Sequence, residues 1–271
     1  MTTLANQIST NADQWASVSG LDHAVSNLSE YVQIITTFFR GGGWVFRGEG
    51  ELFDCPAAPS AFRNSSTLTK NRYPNRAITD QEMEQVQACV NEHPNTSDRF
   101  LRAFIPTIHQ HDVNWLPLAR HFGYSTRLLD VTLNPLIAAY FATDNTNGED
   151  SYVYAMQVGG FRPVSDKNPT QTGKQDYPNV PISYLDLYDV DVEWWGPELD
   201  QQPYLFEATI PQERLLAQAG KFLFWRDIEL NLPNVTQMIP IRINGSAKQS
   251  IQNELTAFGV VSATLFPSDD T

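Results

Sequence analysis

The chain has 271 residues, of which 41% are hydrophobic and 18% are charged, and its formal net charge is −13 at pH 7. This length and composition are typical of a globular protein that buries a sizeable core. The acidic balance disfavours broad attraction to nucleic acid, because phosphate binding needs a surplus of Lys and Arg. A local basic pocket stays compatible with it.

Signals for targeting and for metal binding are missing from the sequence. The opening stretch MTTLANQISTNADQW has no basic region followed by an apolar run, and no segment approaches the roughly 18 apolar residues of a membrane span. Cys55 and Cys89 form no CxxC pair and no Cys/His cluster, so we expect no metal. We therefore expect a cytoplasmic protein with no membrane partner and with reduced thiols, although a disulfide between the two stays open.

Helical patterns dominate the first half of the chain. Apolar residues recur at helical spacing from Leu21 to Ile35, and the glycines at 41–43 predict the end of that helix. WVFRG then predicts a short strand, rich in aromatic and β-branched residues. Further helices are predicted with Asp80 as a cap, over 100–108, over 114–123, and over NPLIAAYFAT with Asn134 as cap and Pro135 in first position.

Strand patterns dominate the second half. The segments SYVYAMQV, YLFEATI, KFLFW and MIPIRIN predict strands, and TLFP predicts a final extended piece. ERLLAQAG and SIQNELTAFGV predict helices, and residues 161–202 are typical of a loop. Helices followed by strands favour an α+β fold, in which helices mainly from the N-terminal half pack on a mainly antiparallel or mixed sheet.

The stretch WVFRGEG, residues 44–50, carries a candidate binding group at the end of its strand. The forked guanidinium of Arg47 suits a phosphate or carboxylate, and Gly48 allows close approach of a ligand. Glu49 is two residues further on, so an extended backbone places it on the same face as Arg47. A structural Arg–Glu pair at a strand end is the alternative interpretation.

The stretch HFGYSTRLLDVT, residues 121–132, gathers further polar candidates. Arg127 and Asp130 are three apart, so on a helical turn they would lie together and pair in a buried neighbourhood. We expect Thr126, Thr132 and His121 to face a pocket. The alternative is a polar brace that fixes a turn between two helices.

A third stretch, ERLLAQAGKFLFW, places Gln218 close to the start of a predicted strand, where its amide suits a ribose or another amide. The alternative is an exposed or capping Gln.

The sequence has no GxGxxG, Walker loop, GxSxG or HExxH motif, which disfavours Rossmann hydride transfer, P-loop hydrolysis and α/β-hydrolase chemistry. A glycosidase with paired carboxylates stays open, because its two acids need no local motif.

Taken in order, WVFRGEG, LARHFGYSTRLLDVTLNPLIAAYFA, ERLLAQAGKFLFW and GVVSATLFP resemble the FRG domain family, named for its Phe-Arg-Gly signature. The resemblance extends over residues 25–267, which leaves residues 1–24 as an N-terminal helical cap or arm. Arg120 departs from the family pattern, which more often has Gln at that position.

The family pattern is also similar, more distantly, to that of the ADP-ribosyltransferases. That resemblance implies NAD as a substrate, with Arg47 holding the pyrophosphate or nicotinamide side and Thr126 or Thr132 lining the ribose pocket. Gln218 falls where the late motif of those enzymes has acidic residues, and Glu49 is the candidate to supply the charge instead. It implies Arg47, Glu49 and Gln218 as catalytic residues, and further ligand contacts from Gly48, His121, Thr126, Arg127, Asp130 and Thr132.

The resemblance leaves several functions open. The first is an ADP-ribosyltransferase or NAD glycohydrolase that acts as a toxin or defence effector of bacterial or phage origin, with a protein or nucleic acid as acceptor. The second is a non-catalytic module that senses a nucleotide or a phage component. The third, nucleic-acid processing, needs a basic track that a net charge of −13 disfavours. An acid facing a ribose-sized gap beside Arg47 would favour the first.

Overall fold

The computed structural model describes residues 24–41, 43–53, 57–60, 88, 119–120, 122–157, 204–206, 213–224 and 238–267. Several predictions lie outside these residues: the arm over 1–24 apart from Ala24, the helix over 100–108, the loop over 161–202, and both cysteines. The helix predicted from Asp80 onward is also outside them, apart from the helical residue Ala88.

The described strands form one six-stranded sheet in the order β4-β5-β2-β1-β3-β6. Every neighbouring pair is antiparallel, which confirms the prediction of an α+β fold on a mainly antiparallel sheet. The strands are β1 (Trp44–Glu49), β2 (Leu128–Thr132), β3 (Ser151–Gln157), β4 (Tyr204–Phe206), β5 (Gly220–Phe224) and β6 (Met238–Ile243).

Side-chain caps mark the start of two of the five described helices. The five are α1 (Leu28–Phe38), α2 (Pro135–Thr143), α3 (Glu213–Ala217), α4 (Lys248–Ala257) and α5 (Ser262–Leu265). The side chain of Asn134 accepts a hydrogen bond from the backbone of Leu136 at 2.9 Å, and Pro135 occupies the first turn, as predicted. Asn27 caps α1 in the same way, by accepting from the backbone of Glu30.

Three predicted elements differ from the structure. The first helix begins at Leu28 rather than near Leu21, because Val25 forms a parallel bridge with Ile243 beside β6. The last segment, predicted as extended, contains the short helix α5. Residues 128–132 form a strand rather than a helical turn, since each of them is registered with a residue of β5.

The main hydrophobic cluster lies over one side of the sheet. It joins Tyr31 of α1, Ala138 of α2, Val153 of β3, Ile241 of β6 and Ile251 of α4, each at least 98% buried. The hydroxyl of Tyr31 donates to the carbonyl of Pro135 at 2.7 Å, which ties α1 to the start of α2. This cluster fixes the position of the helix that lies beside the cleft described below.

Gly48 lets α2 lie directly against β1. A Cβ at this position would collide with the carbonyl oxygen of Ala138 and lie 2.6 Å from the backbone nitrogen of Ala142. The glycine of the Phe-Arg-Gly triplet is therefore required for packing of the helix on the strand, whereas the sequence suggested close approach of a ligand.

The sheet divides into two halves that meet at a single registered pair. β1 is registered with β3 from Trp44 to Glu49, and β2 with β5 from Leu128 to Thr132, but β1 and β2 are registered only at Phe46 and Thr132. We call β1, β3 and β6 the core half, and β2, β4 and β5 the cleft half. A gap opens between the halves beyond that pair, where β1 continues to Glu49.

The helices of the described residues are short. The longest, α1, has 11 residues, and none combines the length and the apolar character that crossing a membrane requires.

Candidate functional site

A cleft of about 380 Å³ lies at the gap between the two halves of the sheet. This volume falls in the range of small-molecule sites. Its walls combine aromatic rings, arginines and a carboxylate, contributed by residues Phe46, Arg47, Gly48, Arg120, Gly123, Asp130, Val131, Thr132, Phe141, Arg214, Leu215, Gln218 and Phe222. A site rich in arginine is notable in a chain whose net charge is −13.

Arg47 bridges the gap between the two halves. Its Nε donates to Oε1 of Glu49 at 2.9 Å, and its Nη1 donates to the carbonyl oxygen of Asp130 at 2.8 Å. The side chain thus crosses from β1 to β2 at the point where the backbone ladder between these strands has ended. Its contact with Glu49 is the structural Arg–Glu pair that the sequence offered as the alternative interpretation.

Glu49 lies behind Arg47 and does not line the cleft. Its side chain is 1% exposed, and its Oε2 accepts a hydrogen bond from the backbone of Ala57 at 3.1 Å. A carboxylate in this position holds the arginine in place, since it neutralises the guanidinium and restricts its rotamers. The structure therefore does not place Glu49 where a ligand in the cleft would meet it.

Asp130 is the carboxylate on the cleft wall, and Arg120 is its partner. Nε and Nη2 of Arg120 donate to Oδ2 of Asp130 at 2.9 and 2.7 Å. The predicted pairing of Asp130 with Arg127 is wrong, because residues 128–130 are extended in β2 and do not form the helical turn that would bring the two side chains together. Arg127 is 4% exposed and does not line the cleft, whereas the side chain of Asp130 is 46% exposed.

The two threonines of the central stretch have different positions. Thr132 lines the cleft, donates to the carbonyl of Gln218 at 2.7 Å, and accepts from the backbone of Asn134 at 3.0 Å. Thr126 is fully buried outside the cleft, where its hydroxyl accepts from the backbone of Leu128. His121 lies outside the described residues, so its predicted place in the pocket stays a prediction.

Gln218 reaches the cleft from the turn between α3 and β5. Its carbonyl accepts from Thr132, and its side-chain Nε2 donates to the carbonyl of Leu265, the last residue of α5, at 3.0 Å. The amide therefore fixes the position of the neighbouring Phe266, over whose ring Arg214 stacks with its Cζ 4.7 Å from the ring centroid. The prediction that Gln218 lies at the start of the late strand is confirmed.

Sequence reasoning missed two charged residues of the cleft, Arg120 and Arg214. A signal existed for Arg120, which directly precedes the HFGYSTRLLDVT stretch and departs from the family pattern. Gly123 has a φ of +85° and its backbone nitrogen donates to the carbonyl of Arg120, so the predicted helix end at Gly123 positions this arginine. Arg214 gave no comparable signal, because a charged residue in a short helix is typical of an exposed face.

Groups whose pKa is shifted lie outside the cleft walls. Burial raises the pKa of the Tyr31 hydroxyl, and it lowers the pKa of Lys221 and of Lys248. Lys248 donates from Nζ to the carbonyl of Gly50 at 2.7 Å and to Asn147 at 3.1 Å, so it ties two loops to α4. No group of three or more His, Cys, Asp or Glu residues within the described ranges is arranged to hold a metal ion.

A comparison with protein families identifies the part of the chain that contains β1, β2 and α2. Residues 42–151 match the model of the FRG domain. This part of the chain is an FRG domain. The FRG domain contains β1, β2, α2 and the first residue of β3, so Arg47, Arg120, Asp130 and Thr132 lie within it. Arg214 and Gln218 reach the same cleft from beyond the matched part.

No curated protein and no solved structure matches the chain. The extension of the FRG domain to residues 25–267 and the resemblance to ADP-ribosyltransferases therefore stay predictions.

Proposed function

We infer that the cleft of the FRG domain binds NAD and that the protein is an ADP-ribosyltransferase-like enzyme or NAD glycohydrolase. Arg47, Arg120 and Arg214 offer forked donors that suit phosphate groups, and Phe46, Phe141 and Phe222 offer apolar surface for a ring. A basic cleft in a chain whose net charge is −13 favours a small anionic ligand over an extended nucleic acid, because a nucleic acid needs a basic track.

The position of Asp130 carries the proposal. Asp130 lines the cleft with a side chain that is 46% exposed, and its backbone carbonyl oxygen is 2.8 Å from Nη1 of Arg47, so this acidic residue is the neighbour of that arginine in the cleft. Arg120 holds Oδ2, and no described residue donates to Oδ1. That oxygen is available to a ribose hydroxyl or to positive charge that develops on the sugar.

The proposed role of Asp130 is electrostatic. Breaking the bond between the ribose C1′ and the nicotinamide nitrogen passes through an oxocarbenium-like state, which a nearby carboxylate stabilises. Nicotinamide leaves with the electron pair of the broken bond, water or an acceptor nucleophile forms the new bond to C1′, and that nucleophile loses one proton. Arg120 holds the carboxylate in place for this step, and Arg47 holds the backbone of β2.

The pairing of Asp130 with Arg120 favours a second candidate, a non-catalytic module that senses a nucleotide. Arg120 neutralises the carboxylate, and no other described acid lines the cleft. A paired acid stabilises a developing cation less than a free one, because the guanidinium cancels part of its field. Both candidates share the same ligand and differ in whether the glycosidic bond breaks.

Release of nicotinamide distinguishes the two candidates. Purified wild-type protein, Asp130→Asn, Arg47→Ala and the control Asp144→Asn are incubated with NAD, and nicotinamide is followed by mass spectrometry. Asp144 is exposed beyond the end of α2 and does not line the cleft. We expect release by the wild type and by Asp144→Asn, and a loss of roughly 10²-fold in Asp130→Asn, since it removes one electrostatic stabiliser of the transition state.

The melting temperature of each variant, measured with and without NAD, keeps the test independent of folding. A rise with NAD but no nicotinamide release by the wild type would support the sensing module. Neither a rise nor release would overturn the proposal that the cleft takes NAD.

A further inference from the structure

The cleft arginines differ in how their charge is balanced. Arg47 is paired with Glu49, and Arg120 is paired with Asp130. Arg214 has no carboxylate partner and no side-chain hydrogen bond among the described residues, and its contact is with the ring of Phe266. The uncompensated positive charge of the cleft is therefore located at α3.

Aromatic packing fixes the orientation of the Arg214 guanidinium. The ring of Phe266 lies under it, and that ring meets Phe141 edge to face, with centroids 6.1 Å apart. The amide of Gln218 holds Leu265, the residue before Phe266, through its hydrogen bond to the carbonyl oxygen. Stacking occupies a face of the guanidinium and leaves the N–H groups along its edge free to donate.

Arg47 has less capacity left for a ligand. Its Nε and Nη1 already donate to Glu49 and to the backbone of Asp130. An additional anion at Arg47 would also lie close to the Glu49 carboxylate, whereas an anion at Arg214 meets no such repulsion from a paired acid.

We propose that Arg214 is the residue that binds the diphosphate of a dinucleotide in the cleft, so that the diphosphate lies at α3 and the adjoining ribose that carries the nicotinamide lies at Asp130. This inference rests on the proposed function and deepens it. It differs from the role that the resemblance to ADP-ribosyltransferases implies, in which Arg47 holds the pyrophosphate. Arg47 instead holds the two halves of the sheet together beside the sugar end.

Binding of two probes tests the assignment. Dissociation constants for NAD and for inorganic pyrophosphate are measured by calorimetry with the wild type, Arg214→Gln, Arg214→Lys and the control Arg242→Gln. Arg242 is an arginine of β6 that contacts Asp150 at 3.8 Å, and it does not line the cleft. Nicotinamide release is recorded for the same proteins, and their melting temperatures without ligand show that each is folded.

We expect Arg214→Gln to weaken NAD binding by roughly 10- to 100-fold, because the variant loses charge-assisted hydrogen bonds to the diphosphate. Pyrophosphate binding should no longer be measurable in this variant. Arg214→Lys retains part of the affinity, because it keeps the charge but not the planar fork. Arg242→Gln binds both probes as the wild type does. The wild-type affinity falls as salt rises, and this dependence is weaker in Arg214→Gln.

The failures of the two proposals are distinguishable. If wild type and Arg214→Gln bind NAD equally, the assignment of Arg214 is overturned while the proposed function stands. If the wild type binds pyrophosphate but neither binds nor cleaves NAD, and Arg214→Gln loses pyrophosphate, the anion site stands and the NAD proposal fails. If the wild type binds neither probe, both are overturned.

Discussion

The core half and the cleft half of the sheet are built from similar antiparallel strands but differ in what covers them. β3 and β6 of the core half contribute Val153, Ile239 and Ile241 to the main hydrophobic cluster, under α1, α2 and α4. Leu129 and Leu223 of the cleft half are equally buried but lie outside that cluster. The cleft half instead borders the arginines and the carboxylate.

This difference assigns stability mainly to the core half and ligand binding mainly to the junction with the cleft half. The core half is covered by α1, α2 and α4, so it provides a rigid support for β1. The cleft half meets it at one registered pair and through the Arg47 side chain. A polar site therefore forms at the junction without interrupting the hydrophobic cluster. Arg47 both joins the two halves of the sheet and lines the cleft.

Truncation of a core-half side chain tests this division with the largest expected effect. Ile241→Ala leaves a cavity in the main cluster and should lower the free energy of unfolding by about 3–4 kcal/mol. Leu223→Ala should cost about 2 kcal/mol, at the lower end for such a truncation, because Leu223 lies outside the main cluster. Urea denaturation measures both.

The exposed Leu216 of α3 serves as the control, and Leu216→Ala should stay within about 0.5 kcal/mol of the wild type. Equal losses for Ile241→Ala and Leu223→Ala would contradict the distinction between the halves.

Gly48 offers the second test, since it decides how closely α2 approaches the core half. Gly48→Ala forces α2 away from β1, because the new Cβ meets helix backbone that cannot rotate aside. We expect a loss of about 3 kcal/mol, at the upper end for overpacking. Gly50→Ala is the matched control, because its Cβ would meet the Cβ of Asn145 at 3.0 Å in a loop that can shift.

A loss in Gly48→Ala no larger than in Gly50→Ala would show that α2 is not held against the strand. Thermal denaturation of the two variants side by side makes the comparison.

Local chemistry explains which elements the sequence predicts. Asn134 and Pro135 specify the start of α2 through contacts within four residues, and WVFRG is typical of a strand on its own. The residues Arg127 to Asp130 fit a helical spacing, but pairing with β5 decides their conformation, and that partner lies about ninety residues later in the chain. The β-branched Val131 and Thr132 were the signal that favoured a strand.

The side-chain pairs of the candidate site show the same contrast between local contacts and contacts of distant segments. The Arg47–Glu49 pair is predictable because a strand fixes the relative positions of residues two apart. The pair of Arg120 with Asp130 crosses from a helix end to a strand, and the stacking of Arg214 on Phe266 joins α3 to the residue after α5. Contacts of this kind depend on the packed fold, so spacing in the sequence cannot reveal them.

The junction itself gives the last test, with the smallest expected effect. Glu49→Gln removes the charge that balances Arg47, and we expect a loss of about 1–2 kcal/mol. The loss is moderate because the side chain of Arg47 is 15% exposed and borders the cleft, so water compensates part of its charge. The matched control, Glu254→Gln in α4, removes an acid that no cleft residue contacts and should change stability by less than about 0.5 kcal/mol. Denaturation of both variants in urea provides the comparison.

The double variant Glu49→Gln with Arg47→Met should recover part of the loss, since it leaves no unpaired charge at the junction. A double variant less stable than Glu49→Gln would show instead that Arg47 joins the halves mainly through its hydrogen bond to Asp130, independently of the acid behind it.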